Sequence, residues 1–145
     1  MPNLVFEPNS KPQAQFLASS ESDVLFGGSS GGGKSLALVI DPLQHVHNKD
    51  FVAMIYRETF PQLERSIIQP ARKYYEAAGA SYSETKKVFT FPSGARIGLG
   101  YLQHAGDWRE YQGFAQCGQY FDEITNIDWE NIVMLRAWNR SEAEG

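Results

Sequence analysis

Apolar runs alternate with glycine-, proline- or charge-rich breaks along this chain, and the period of each run predicts an element. "DVLFGG" (23–28) is a short apolar run stopped by glycine, which predicts a buried strand. "KSLALVIDPLQHVH" (34–47) has helical spacing through Leu36, Ile40, Leu43 and Val46, with Pro42 expected to kink that helix or end its first part. "FVAMIYR" (51–57) predicts a second buried strand. "PQLERSIIQPARKYYEAAGA" (61–80) predicts a second helix, with Pro61 near its start and Gly79 near its end. In "KVFTFPSGARIGLGYL" (86–102) two β-rich stretches flank Pro92-Ser93-Gly94, the pattern of an antiparallel hairpin. "AQCGQYFDE" (115–123) predicts another strand and "WENIVMLRAWNR" (129–140) a closing amphipathic helix. No internal repeat and no interdomain linker interrupts this order. Strand–helix–strand–helix succession predicts an α/β domain, with a mostly parallel sheet flanked by helices.

Composition narrows the picture. A chain of 145 residues is expected to form one domain that buries roughly two thirds of its unfolded surface. Its 42% hydrophobic and 13% aromatic content is that of a globular chain rather than a disordered one. The net charge of −4 gives no global basic footprint of the kind many nucleic-acid binders carry, although a local patch depends on where the charges lie. Cys117 stands alone, which excludes an internal disulfide framework and suits a reducing compartment. No apolar run approaches the roughly 18 residues that span a bilayer, and the first residues lack a signal-peptide core. A soluble intracellular domain with no membrane partner is the expectation.

Chemistry enters at "GGSSGGGKS" (27–35). Gly28 to Ser35 satisfies G-x-x-x-x-G-K-[ST] between a predicted strand and a predicted helix, the context that separates a phosphate loop from a chance match. Glycines let successive backbone N–H groups of Gly28, Ser29, Ser30, Gly31, Gly32 and Gly33 converge on an anion. The helix N-terminus adds its own free N–H groups and the positive end of its dipole. Lys34 would reach the β- and γ-phosphates, and the Ser35 hydroxyl would ligate Mg²⁺. A flexible Gly/Ser linker is the bland alternative, but linkers seldom join a buried strand to an apolar helix. From average residue usage the bare motif arises by accident in roughly one chain of this length in a few hundred.

Binding phosphate is not hydrolysis, which also needs a metal-holding acid and a group to orient water. "QYFDE" (119–123) offers both. Asp122 at a strand end would hold Mg²⁺ directly or through water, and Glu123 would polarise the attacking water as a general base. Two surface carboxylates in a turn are the competing reading, and Gln119 makes the strand less apolar than such strands usually are.

These residues in this order resemble the N-terminal ATPase portion of tailed-phage terminase large subunits. The resemblance covers nearly all of the chain. It runs through "KPQAQFL" (11–17), the phosphate loop, "MIYRETFPQLERS" (54–66), the hairpin, "YQGFAQCGQYFDEITNI" (111–127) and "LRAWNRS" (135–141). The phosphate loop is specific only to the P-loop NTPase superfamily; the ordered set points to terminases. The resemblance implies ATP and Mg²⁺ as cofactors. It implies that Gln13, with Gln15 as the alternative, reads adenine. It implies double-stranded DNA, a portal ring, a small terminase subunit and copies of the same chain in a ring as partners, in the cytoplasm of a bacterial host. It also directs attention to an arginine that offsets charge on the transferring phosphate, commonly donated by a neighbouring subunit, with Arg109 and Arg57 as candidates.

The chain departs from the family's pattern after the acidic pair. Family members continue with a coupling motif, further strands and a nuclease domain, so this chain looks like a partial ATPase domain over 1–145, with an incomplete sheet and an exposed edge. No nuclease residues are assigned. Two other readings stay open: another P-loop ATPase, such as a helicase-like or remodelling motor, and a nucleotide-binding fragment without turnover. His45 and His47, two apart on a helix, make a poor metal pair, and Trp129 and Trp138 are expected in the core.

Overall fold

The computed structural model describes residues 23–26, 32–112 and 116–143, with side chains over 35–112 and 116–137. Among the described residues six strands form one sheet: β1 (Asp23–Phe26), β2 (Val52–Arg57), β3 (Ser81–Ser83), β4 (Val88–Thr90), β5 (Arg96–Tyr101) and β6 (Gly118–Asp122). Their spatial order is β1-β6-β2-β5-β4-β3. The first four in that order run parallel, and β4 and β3 add antiparallel at one side. The sheet is mostly parallel, flanked by helices and not closed.

Parallel neighbours need crossovers, and the helices supply them. Helix α1 (Gly32–Ile40) leads from β1 towards β2. It stops where Pro42 enters, and the chain tightens into a 3₁₀ turn over Asp41–His45. The expected second helix is three pieces in a row: α2 (Phe60–Leu63), a wide π turn (Glu64–Ile68) and α3 (Gln69–Ala77). Thr59 caps its start, its hydroxyl accepting from the Gln62 N–H at 3.5 Å. The π turn has a local cause. Pro70 brings no N–H and its ring would crowd the carbonyl of Ser66, so Gln69 bonds one residue further back, to Glu64 O. Helix α4 (Trp129–Ala143) closes the described chain.

Alternation along the strands divides the core between the two sheet faces. Ala53 and Ile55 of β2, Ile97 and Leu99 of β5 and Tyr120 of β6 join Leu38, Val39, Leu63, Ile67 and Tyr75 from α1 to α3. Met54 and Tyr56 of β2 and Phe121 of β6 face the other way, towards Trp108, Ile132 and Leu135. On that second face β5 presents Gly98 and Gly100. A Cβ on Gly98 would lie 2.5 Å from Met54 Sδ, and one on Gly100 would lie 2.8 Å from the Tyr111 ring. Those glycines are there for room, not for turning.

Three sequence expectations need correction or addition. Trp129 is not in the core: it is 67% exposed at the first turn of α4, while the side chain of Trp138 lies outside the described residues. The polar triplet Ser81–Ser83, unassigned by periodicity, is an edge strand paired to β4. The stretch before the last strand holds a 3₁₀ turn over Asp107–Tyr111.

Candidate functional site

Two parallel strands end side by side with charged residues. Tyr56 is in register with Phe121, so the next residues, Arg57 and Asp122, are the last of β2 and β6. Ile55 and Tyr120 point to the α1 face. Two residues on, the alternation returns Arg57 and Asp122 to that same face, at the C-terminal rim where ligands of open α/β sheets bind.

The start of α1 meets them there. Ser35 Oγ donates to Asp122 Oδ2 at 2.9 Å, across 87 residues of sequence. The Arg57 guanidinium donates through Nη1 to the same Oδ2 and forms a buried ion pair with it. Asp122 is 3% and Arg57 8% exposed. Arg57 Nε has no hydrogen-bond partner.

Glu123 follows immediately and leaves the strand with φ 54° and ψ 51°, in the left-handed region. A non-glycine residue pays about 1–2 kcal/mol there, and such outliers cluster at functional sites. The turn separates the directions of the two acids. Glu123 Oε2 is buried and has no hydrogen-bond partner.

The donor set suits a hard divalent cation. A serine hydroxyl and a carboxylate lie in contact beside the start of a helix, and Mg²⁺ is usually held by one or two carboxylates together with substrate phosphates. Among the described residues no group of three or more His, Cys, Asp and Glu side chains gathers to form a larger metal nest.

Beneath the rim the same face carries another buried acid. Asp41, which follows α1, accepts from Tyr120 Oη at 2.7 Å and from Gln44 Nε2 at 2.8 Å. Burial pushes its carboxyl up to about 6, against the pull of those two hydrogen bonds.

The remaining sequence candidates fall elsewhere. Arg109 lies in the 3₁₀ turn, exposed and over the Trp108 ring at 5.1 Å, and is not part of the Ser35–Asp122–Arg57 cluster. Gly32, Gly33 and Lys34 form the first turn of α1. Gln13, Gln15, Gly28, Ser29, Ser30 and Gly31 lie outside the described residues, as does the Lys34 side chain.

Sequence reasoning missed a neutral polar network on the opposite face. Gln119 Nε2 donates to Leu135 O in α4 at 2.8 Å and to Gln116 Oε1 at 3.0 Å. Gln116 Oε1 also accepts from Tyr56 Oη at 3.0 Å. Asn131 of α4 donates to His104 O at 3.0 Å and accepts from the Trp108 N–H at 3.1 Å. The one sequence signal was Gln119 itself, a glutamine where the strand pattern called for an apolar residue.

Residues 25–135 match the family described as terminase large subunit, T4likevirus-type, N-terminal. Solved structures of the large terminase from a thermophilic bacteriophage share the fold. One crystal form gives a TM-score of 0.73 at 18% identity, covering 94% of this chain and 37% of that one. A complex with ADP gives 0.69 at 18% identity, covering 89% and 35%. A complex with ATP-gamma-S gives 0.67 at 18% identity, covering 90% and 34%. This chain therefore spans little more than a third of the length of those proteins. No curated protein sequence matches it.

Proposed function

Since the chain belongs to the terminase large subunit family, in its N-terminal, T4likevirus-type part, we propose that it is the ATP-hydrolysing portion of a phage DNA-packaging motor. The observation that carries this reading is the contact of Ser35 Oγ with Asp122, which joins the end of the glycine-rich loop to the acidic pair. That junction is what Mg²⁺-dependent phosphoryl transfer requires of a protein.

Each residue then has a task. The backbone N–H groups of Gly28 to Gly33, with the first turn of α1, cradle the phosphates, and Lys34 reaches the β- and γ-oxygens. Ser35 and Asp122 hold Mg²⁺, which when bound neutralises charge on the phosphates. Glu123 accepts the proton of the attacking water, and its unpartnered Oε2 leaves an acceptor for it. Gln13 reads the adenine edge. Arg109, exposed on a turn, is suited to reach the site of an adjacent copy in a ring rather than its own. The solved large terminases of the thermophilic phage with ADP and ATP-gamma-S support a nucleotide as ligand. Double-stranded DNA, a portal ring and a small terminase subunit complete the assembly, in the cytoplasm of a bacterial host.

The test compares Mg·ATP binding and turnover in the parent, Lys34→Ala and Glu123→Gln. The parent is expected to bind and Lys34→Ala to lose binding. Glu123→Gln should bind with parental affinity and turn over about 10²–10⁴-fold more slowly. A folded parent that binds no nucleotide sinks the reading. Binding without turnover in every variant would make the chain a nucleotide-binding module.

A further inference from the structure

One carboxylate oxygen serves two partners at the candidate site. Asp122 Oδ2 accepts from Ser35 Oγ and from the Arg57 guanidinium, and all three groups are fixed by the framework. Arg57 ends β2, Asp122 ends β6 and Ser35 lies in the first turns of α1. Burial leaves water little room to take over the task of neutralising Asp122. A divalent cation shared between Ser35 and Asp122 would take up that same oxygen. It would then stand within a few ångströms of the Arg57 guanidinium.

We propose that Arg57 is an internal stand-in for the divalent cation: a positioning residue that holds Asp122 against Ser35 in the metal-free chain and competes with the metal for Asp122 Oδ2. The proposal rests on the nucleotide and Mg²⁺ reading given above. Two consequences distinguish it from a purely structural ion pair. Removing the guanidinium leaves a buried carboxylate without a counter-charge, so the metal-free protein loses stability. The same removal takes away a cation that repels the incoming metal, so metal binding strengthens. A pair that only orients Asp122 for the metal gives the first effect with weaker metal binding in place of the second. Arg57 Nε, which has no partner in the paired arrangement, gives the displaced side chain an unused donor for a phosphate oxygen.

The experiment titrates Mn²⁺ by electron paramagnetic resonance, with and without ADP, into the full 145-residue chain. It compares the parent with Arg57→Gln, Arg57→Lys and the double variant Arg57→Gln/Asp122→Asn, with melting in EDTA measured alongside. Arg57→Gln is expected to bind Mn²⁺ about ten-fold or more tightly than the parent and to melt earlier in EDTA, with Mn²⁺ restoring much of the loss. Arg57→Lys should stay near the parent on both measures. The double variant, which removes both charges, should regain melting in EDTA and lose the Mn²⁺ affinity that Arg57→Gln gains. It keeps the question answerable if Arg57→Gln folds poorly. Parental binding with equal or weaker binding by Arg57→Gln overturns the competition and leaves the metal site standing. No Mn²⁺ binding by the parent, even with ADP, removes the metal site itself and the competition with it.

Discussion

The two faces of the sheet are held by different physics. On the α1–α3 face, Ile55, Ile97, Leu99, Leu38 and Ile67 meet through shape and apolar area. On the α4 face the strands present Tyr56, Gln119, Gly98 and Gly100, and the contacts that matter have direction: a glutamine amide to a helix carbonyl, a tyrosine hydroxyl to a glutamine oxygen. Burial raises the Tyr56 hydroxyl well above the ordinary tyrosine range, which keeps its proton available for that bond. Apolar packing accepts many substitutes of similar volume, whereas a buried polar network accepts few, because each lost partner strands another. The charged site crowns the tolerant face, so its floor can be altered in small steps while its rim cannot. The intolerant face ties β6, the strand that ends in Asp122, to α4.

The largest effect that would test this contrast comes from a cavity on the apolar face. Ile55→Ala should cost about 2–5 kcal/mol by chemical denaturation, while Ile55→Val should cost about 0.5–1.5 kcal/mol. Similar losses for both would mean that this face is as exacting as the other.

Asp41 is the polar intrusion on that same face, and its signature is pH. Its folded-state value of about 6 stands above the ordinary 3.8. Its contribution to stability is therefore complete below about pH 4 and is lost as pH rises towards 6, by at most about 3 kcal/mol. Tyr120, Gln44 and Tyr75 are the groups facing it. Asp41→Asn should gain on the parent in melting temperature between pH 4 and pH 7. Parallel curves would show that this carboxyl does not titrate in the fold.

A smaller effect comes from Gln119→Leu, close in volume and more apolar, which leaves Leu135 O without its side-chain donor. Denaturation should show a loss of about 1–3 kcal/mol despite the gain in apolarity. An unchanged or higher midpoint would mean that both faces are held by packing alone.

Smallest is Glu123→Gly, at the rim between the faces. Relief of the left-handed backbone should raise stability by about 1 kcal/mol while turnover collapses. A loss of stability would mean that the Glu123 side chain contributes more than its backbone costs.

Much of the framework was legible because it depends on local patterns. Strand and helix periods, the stop at Pro42 and the hairpin around Pro92-Ser93-Gly94 are written in neighbouring residues. What could not be read depends on distant partners. The pairing of Arg57 with Asp122 follows from the register of β2 on β6, and nothing near either residue records that register. Gln119 looked like a flaw because Leu135 O lies a helix away. Trp129 was expected in the core, yet Ile132 and Leu135 fill the inward side of α4 and leave it exposed. Ser81–Ser83 became a strand only because β4 was there to pair with it.

The left-handed backbone at Glu123 also gives evolution a slope. Stability alone favours glycine or asparagine at that position, so a carboxylate persists only where something else selects for it. If Glu123 serves turnover as proposed, drift at position 123 should run downhill ahead of most other changes in any lineage released from that need. On that reading, the residue found there becomes a marker of whether a related chain still needs its carboxylate.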